Sequence, residues 1–346
     1  MSKQKRHTQS KRNSCNIGNC RVSNEAKWIS CNAVLPYENR LFSWLIDCWR
    51  REAWIKQKAA TMQKYNFLIE RHIIPALGDC LLKELTPETL NEFVNQKLHQ
   101  GRLDGCGKLS PAYVRSMAII INTVLAFAAE EFALPLQRVT HKPYIEKKNI
   151  DVLTIHEQRL LEAQLLGAPT ITGLGILLSL NTGLRIGEVC ALSWANIDQD
   201  RNILSVTGTA VRIKDENGSG HLAIDVPKTP ASLRKIPIPS KLHSVLVQMK
   251  KVSQGNYVLP GQCGFISPRT YEYRFHKMLD KCGIRSINYH VLRHTFATRC
   301  IELGMDIKTL SELLGHANTS TTLNTYVHSS MEHKRVQIER LSTLLE

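Results

Sequence analysis

At 346 residues, 43% of them hydrophobic, the chain exceeds what one core usually serves and has enough apolar side chains to fill two. Lys and Arg number 45 against 30 Asp and Glu, a formal charge of +15, which implies a polyanionic partner and excludes an acidic, solvating chain. The 10 cysteines include no CxxC pair and follow no secretory apolar region, so a reduced cytoplasmic protein is expected rather than a disulfide scaffold.

Residues 1–37 hold seven Lys/Arg against one acid and show no sustained period, which predicts a flexible basic arm. His7, Cys15, Cys20 and Cys31 fall within it, but their spacing lacks the paired knuckles of a zinc site, and no metal is expected. From Leu41 the pattern turns helical, with Trp44, Leu45, Cys48 and Trp49 at three- and four-residue steps. A second helix runs through Met62, Tyr65, Leu68, Ile69 and His72 and is predicted to end near Pro75, which lacks the amide a helix interior requires. Thr86-Pro87 opens a third toward Leu98, and Ser110-Pro111 a fourth toward Phe132. The most apolar stretch, Met117 to Ala129, is interrupted by Asn122 and Thr123 and is too short to span a bilayer, so no membrane partner is expected.

Residues 135–150 contain Pro135, Pro143 and a charged run, and read as a linker between a helical domain over 38–134 and a second domain over 151–330. Two helices follow, Thr154 to Leu166 and Thr170 to Leu180. The period then changes: Ile203 to Ile213, His221 to Val226 and Leu233 to Ile238 predict one small three-stranded antiparallel sheet. Helices resume after Pro239, the last within 331–346, where Val336, Ile338, Leu341, Leu344 and Leu345 recur at near-helical spacing. The expected fold class is mainly α and multidomain: a helical bundle, then a mostly α domain carrying the sheet.

Three local strings carry chemistry. Thr182-Gly183-Leu184-Arg185-Ile186-Gly187-Glu188 places an arginine after a glycine that can end one helix, with Glu188 on the same face to orient it. His290-Val291-Leu292-Arg293-His294 sets His290 and Arg293 on one helix face, and His294 is read as a structural histidine. Leu313-Leu314-Gly315-His316 precedes Tyr326 by ten positions. Cutting a phosphodiester with a side chain needs a nucleophile, cations on the phosphorane and a proton for the leaving oxygen; guanidinium forks meet two phosphate oxygens and stay charged. Tyr271, Tyr273 and Tyr289 could serve as the nucleophile by chemistry alone. Lys228, in a turn between strands, can donate the proton, with Lys235 a nearby competitor.

Together these strings resemble the tyrosine site-specific recombinases, the family of phage and conjugative-transposon integrases, from about residue 40 to about residue 335. The resemblance implies that 38–134 is a core-binding domain and 151–330 the catalytic domain, the two forming a clamp around DNA. It implies Arg185, Lys228, His290, Arg293, His316 and Tyr326 as the catalytic set, with Tyr326 attacking the scissile phosphate to leave a 3′-phosphotyrosine, without metal, ATP or other cofactor. It further implies double-stranded DNA at specific sites as the partner and a homotetramer on two such sites, with residues 331–346 docking into a neighbouring protomer. A DNA-bending protein or an excision factor remains open as a further partner. The rival readings are a Xer-like dimer resolvase, a type IB topoisomerase and a catalytically silent DNA-binding regulator.

Overall fold

The computed structural model describes residues 36–57, 59–105, 107–146, 150–214, 220–225, 230–326, 335 and 338–339. The chain divides into two compact units after Glu146, inside the stretch read as a linker. The basic arm, with His7, Cys15, Cys20 and Cys31, and nearly all of the expected C-terminal helix lie outside the described residues.

The first unit is a helical bundle. Helix α1 (Phe42–Lys56) is followed by α2 (Ala59–Leu68), a π-helical turn (Ile69–Ile73) and α3 (Ile74–Leu77), then α4 (Pro87–Gln100) and α5 (Pro111–Phe132). The predicted stop at Pro75 is bypassed by two residues. The chain widens into the π turn and runs directly on into α3, with Pro75 as the second residue of α3. Thr86 and Ser110 cap α4 and α5, each side-chain oxygen accepting the amide three residues on, at 3.3 Å.

Helix α5 runs 22 residues, longer than the 13-residue stretch weighed in the sequence, and by length and composition alone it could cross a membrane. Here it is the central helix of the bundle. Val114, Met117, Ile121, Val124 and Leu125 recur at three- and four-residue steps and pack with Phe42, Leu45 and Leu90. Each such side chain, fully removed from water, contributes about 2 kcal/mol.

The second unit is built around α7 (Ile171–Thr182), buried from Gly173 to Leu180 and packed against α6 (Ile155–Gly167), α8 (Ile186–Ala191), α9 (Ser240–Val252), α10 (Pro268–Lys281) and α11 (His290–Glu302). Helices α12 (Ile307–Leu314) and α13 (Thr319–Tyr326) follow. Gly175 is needed for one of these packings: a Cβ there would lie 2.3 Å from Tyr271 Oη, which donates to the Thr172 carbonyl at 2.6 Å.

The strands differ from the single sheet expected. The run from Ile203 to Ile213 is two strands, β2 (Ile203–Val206) and β3 (Thr209–Lys214), broken at Thr207-Gly208. Strand β2 pairs antiparallel with a short β1 (Ile197–Asp198) and with β5 (Arg234–Pro237), whereas β3 pairs with β4 (Gly220–Asp225) in a sheet of two. At the break a Cβ on Gly208 would lie 2.6 Å from Ile224 Cγ2, so the backbone passes where a side chain would clash.

Candidate active site

Helix α7 ends at Thr182 and Gly183 adopts φ +66°, the left-handed conformation that reverses the chain so that Arg185 becomes the N-cap of α8. Space also demands glycine there, because a Cβ would lie 2.7 Å from the Phe296 ring and 2.8 Å from Leu314 Cδ2. One turn into α8 the Glu188 carboxylate accepts from the Arg185 amide at 2.9 Å and from Arg185 Nη1 at 2.8 Å. Arg234, at the start of β5, meets the same carboxylate with both Nη atoms at 3.0 and 2.9 Å and donates from Nε to the Leu313 carbonyl at 2.6 Å. The Arg234 and Glu188 side chains are 5% and 6% exposed. Burial alone would raise the Glu188 pKa, but hydrogen bonding and charge from Arg234, then Arg185, bring it down to about 2.

Arg293 on α11 is 1% exposed. Its Nη1 donates to the Gly183 carbonyl at 2.8 Å, and its Nη2 to the Leu314 carbonyl at 2.7 Å and to His316 Nε2 at 2.9 Å. Two helix ends, those of α7 and α12, thus share one guanidinium. Burial, followed by the charges of Arg293 and Arg185, lowers His316 to about 4, so its ring is neutral at pH 7. Arginine can only donate; His316 Nε2 must therefore accept, which leaves the ring proton on Nδ1, 2.8 Å from Thr322 Oγ1. Arg293 is lowered to about 9 by burial and by Arg185, and remains charged at pH 7.

Tyr326 ends α13 with 9% exposure, and its hydroxyl lies 2.8 Å from His294 Nδ1. Burial raises its pKa against the weaker downward pull of Arg293 and Arg185, so the phenol keeps its proton. His290 begins α11 and sets its ring perpendicular to that of His294, centroids 4.6 Å apart. Partial desolvation first, then the charges of His294, Arg293 and Arg185, lower His290 to about 4. Arg185 and His290 line an open cleft of about 350 Å³ walled by Gly187, Thr209, Pro268 and Glu272. Arg185 and Arg234 share the one carboxylate of Glu188, and Arg293 adds a third positive charge to their surroundings, a positive excess suited to the charge that develops on a phosphorane.

Residues 153–333 match the phage integrase family, and residues 42–98 match the N-terminal SAM-like domain of phage integrases. The chain belongs to the phage integrase family. It is an enzyme of the tyrosine recombinase class, a DNA strand transferase. A tyrosine recombinase XerC-like protein of Caldanaerobacter subterraneus subsp. tengcongensis is 27% identical over 336 residues, a match covering 88% of this chain and 82% of that one. In fold, the recombinase is similar to the Tn1549 transposon integrase in complex with circular intermediate DNA, with TM-score 0.72, 22% identity, and 87% and 100% of the two chains covered. It is also similar to the lambda integrase tetramer bound to a Holliday junction, with TM-score 0.59, 17% identity, and 89% and 86% covered.

Of the six residues expected at the recombinase's centre, Arg185, His290, Arg293, His316 and Tyr326 fall in one connected cluster, and Lys228 lies outside the described residues. Its competitor Lys235 is exposed on β5, opposite in phase to Arg234. The other tyrosines are placed otherwise. Tyr271 and Tyr289 are core residues bonded to the Thr172 and Gly175 carbonyls, with pKa pushed up by burial, and Tyr273 lies on the surface under Lys277.

Two residues of the cluster escaped the sequence reading. Arg234 was legible in hindsight, because in the strand run it is in phase with the buried Ile236 and Ile238, and an arginine on that face must find a buried partner. His294 differs from its reading as a structural histidine: it stands four residues after His290, shares its helix face and meets its ring.

Proposed function

We propose that the protein is a site-specific recombinase, the integrase of a mobile genetic element, that cuts and rejoins double-stranded DNA through a 3′-phosphotyrosine on Tyr326. The observation that carries this reading is the connected cluster in which Arg293 holds His316 at 2.9 Å and the next residue, His294, holds the Tyr326 hydroxyl at 2.8 Å. Arg185 and Arg293 hold the non-bridging oxygens of the scissile phosphate, His290 adds a donor, His316 positions the Arg293 guanidinium, and Lys228 protonates the leaving 5′ oxygen. The phosphotyrosine conserves the bond energy, so the 5′ hydroxyl of another duplex reseals it without ATP. The assembly is a homotetramer on two DNA sites; the lambda integrase neighbour, a tetramer on a Holliday junction, supports this. The Tn1549 neighbour, an integrase of a transposon, supports the mobile-element assignment.

The test is covalent trapping on a nicked duplex carrying the element's end, read on a denaturing gel. Wild type forms an adduct on the 3′ phosphate, and Tyr326→Phe binds the same duplex without forming one; an adduct that survives the change removes Tyr326 from the mechanism. A second reading, resolution of chromosome or plasmid dimers, is favoured by the XerC-like name of the relative above. Two directly repeated sites on one plasmid separate the readings, since a resolvase excises the intervening segment with no element end present.

A further inference from the structure

Burial pushes the Tyr326 phenol above its ordinary pKa and so keeps its proton on at neutral pH, and an attacking tyrosine must lose that proton. The resemblance distributes this task among the arginines and histidines together, but the geometry is more selective. The phenol oxygen lies 2.8 Å from His294 Nδ1, and the two rings are tilted by 55° with centroids 5.5 Å apart. His290 meets His294 edge to face, which fixes the imidazole between a histidine and the tyrosine.

The proton's direction follows from the surroundings of His294. Burial, then the Arg293 cation, lowers its pKa, and Asp151 opposes them, so the ring is neutral at neutral pH. In the tautomer that carries the ring proton on Nε2, the phenol donates and Nδ1 accepts, and this is the arrangement from which the phenol proton can be taken. The charged and titratable groups around the ring are His290 and Arg293 on its own helix, Tyr326 on α13, and Asp151 in the segment before α6. Asp151 is itself held ionised by a two-pronged contact with Arg285 at 2.7 and 2.9 Å. The phenol is hydrogen-bonded to the imidazole, and the Asp151 carboxylate, bound by Arg285, acts on that ring through its charge, which favours the imidazolium a base becomes on taking a proton.

We propose that His294 is the general base of strand cleavage, a reading that rests on Tyr326 being the nucleophile. As Tyr326 Oη bonds to phosphorus and the P–O5′ bond breaks, the phenol proton passes to His294 Nδ1, and the acid of the site protonates O5′. The imidazolium formed is stabilised by Asp151. On rejoining, the incoming 5′ hydroxyl gives its proton to that acid's conjugate base, bonds to phosphorus and expels the phenolate, which recovers the proton from His294.

The experiment compares wild type, Tyr326→Phe, His294→Ala and His294→Gln in single-turnover adduct formation. Each is run on two nicked duplexes, one with an ordinary scissile phosphate and one with sulfur replacing the bridging 5′ oxygen. A thiolate leaves without protonation, so the sulfur substrate rescues loss of an acid and not loss of a base. The expected result is a fall of about 10²-fold or more for both His294 variants, with unchanged DNA binding and no sulfur rescue. Their residual rate should climb with pH between 7 and 9, as hydroxide takes over, while wild type stays flat. Glutamine keeps the packing and can accept the hydrogen bond but cannot take a proton, so a fall shared by a Gln variant of wild-type melting temperature is not a folding defect. Cleavage within threefold of wild type, rescue by sulfur, or restored activity in His294→Gln would each overturn the proposal. An adduct formed by Tyr326→Phe would instead overturn the choice of nucleophile, which separates the two failures.

Discussion

Glutamine at position 188 keeps the side-chain volume and removes the charge that Arg185 and Arg234 share. A carboxyl whose pKa goes from 4.5 unfolded to about 2 folded contributes about 3 kcal/mol to stability, at about 1.4 kcal/mol per tenfold. The cost of deleting one partner of a buried ion pair, about 3–5 kcal/mol, points to the same size, because Arg234, 5% exposed, would be left facing a neutral amide. The sign follows from the lowered pKa. The contribution is complete above pH 4.5 and is lost as pH falls toward 2, so the gap between wild type and Glu188→Gln should close over that window. The assay is urea unfolding followed by amide hydrogen exchange in peptides from residues 150–326, which reads the second unit separately from the first. A gap below about 0.5 kcal/mol at pH 7, or one undiminished at pH 3, refutes the claim that this carboxylate holds the two arginines.

Three further outcomes follow from single contacts. Gly183→Ala places a Cβ in a left-handed backbone against Phe296 and Leu314, and should destabilise the second unit by about 2–4 kcal/mol in the same exchange assay while slowing adduct formation. Arg293→Lys keeps the charge but not the fork that reaches two carbonyls and His316, so thermal melting should fall and adduct formation drop below detection; wild-type melting would show that the carbonyl contacts carry little. Gly175→Ala drives a methyl into Tyr271 Oη and breaks its bond to the Thr172 carbonyl, which should lower stability by about 1–3 kcal/mol; unchanged DNA affinity would confirm that the defect lies in the core and not at the binding surface.

Much of the fold was legible because local chemistry and tertiary packing agree. Ser110-Pro111 and Thr86-Pro87 start helices in sequence and in structure, and Gly183 ends one, since no other residue tolerates both its φ and its neighbours. The legible part stopped where partners are distant. The run Ile203 to Ile213 is rich in strand formers with Gly208 alone against them, and the pairing with β5 on one side of Gly208 and β4 on the other, which makes that glycine a break, is non-local. Pro75 reads as a helix breaker, but the helix passes it through a π turn, which carries no composition signal.

The same limit explains the site. Arg185, Arg293 and His316 are legible as candidates because they sit in recognisable local strings, whereas what holds them in register is non-local: Arg234 lies 46 residues from Glu188 and 79 from Leu313 along the chain. Arg293 binds the carbonyl that ends α7 and the one that ends α12, so its guanidinium is placed only when both helices have stopped at Gly183 and Gly315. Desolvating that cation is costly, and the cost is offset by backbone acceptors that would otherwise go unpaired in the interior. Folding of the second unit and assembly of its basic cluster are therefore one event. Substitutions at the two glycines, which carry no reactive group, should then depress adduct formation as strongly as substitutions among the cationic side chains, whereas an exposed change such as Lys235→Gln on the opposite face of β5 should leave melting temperature unchanged.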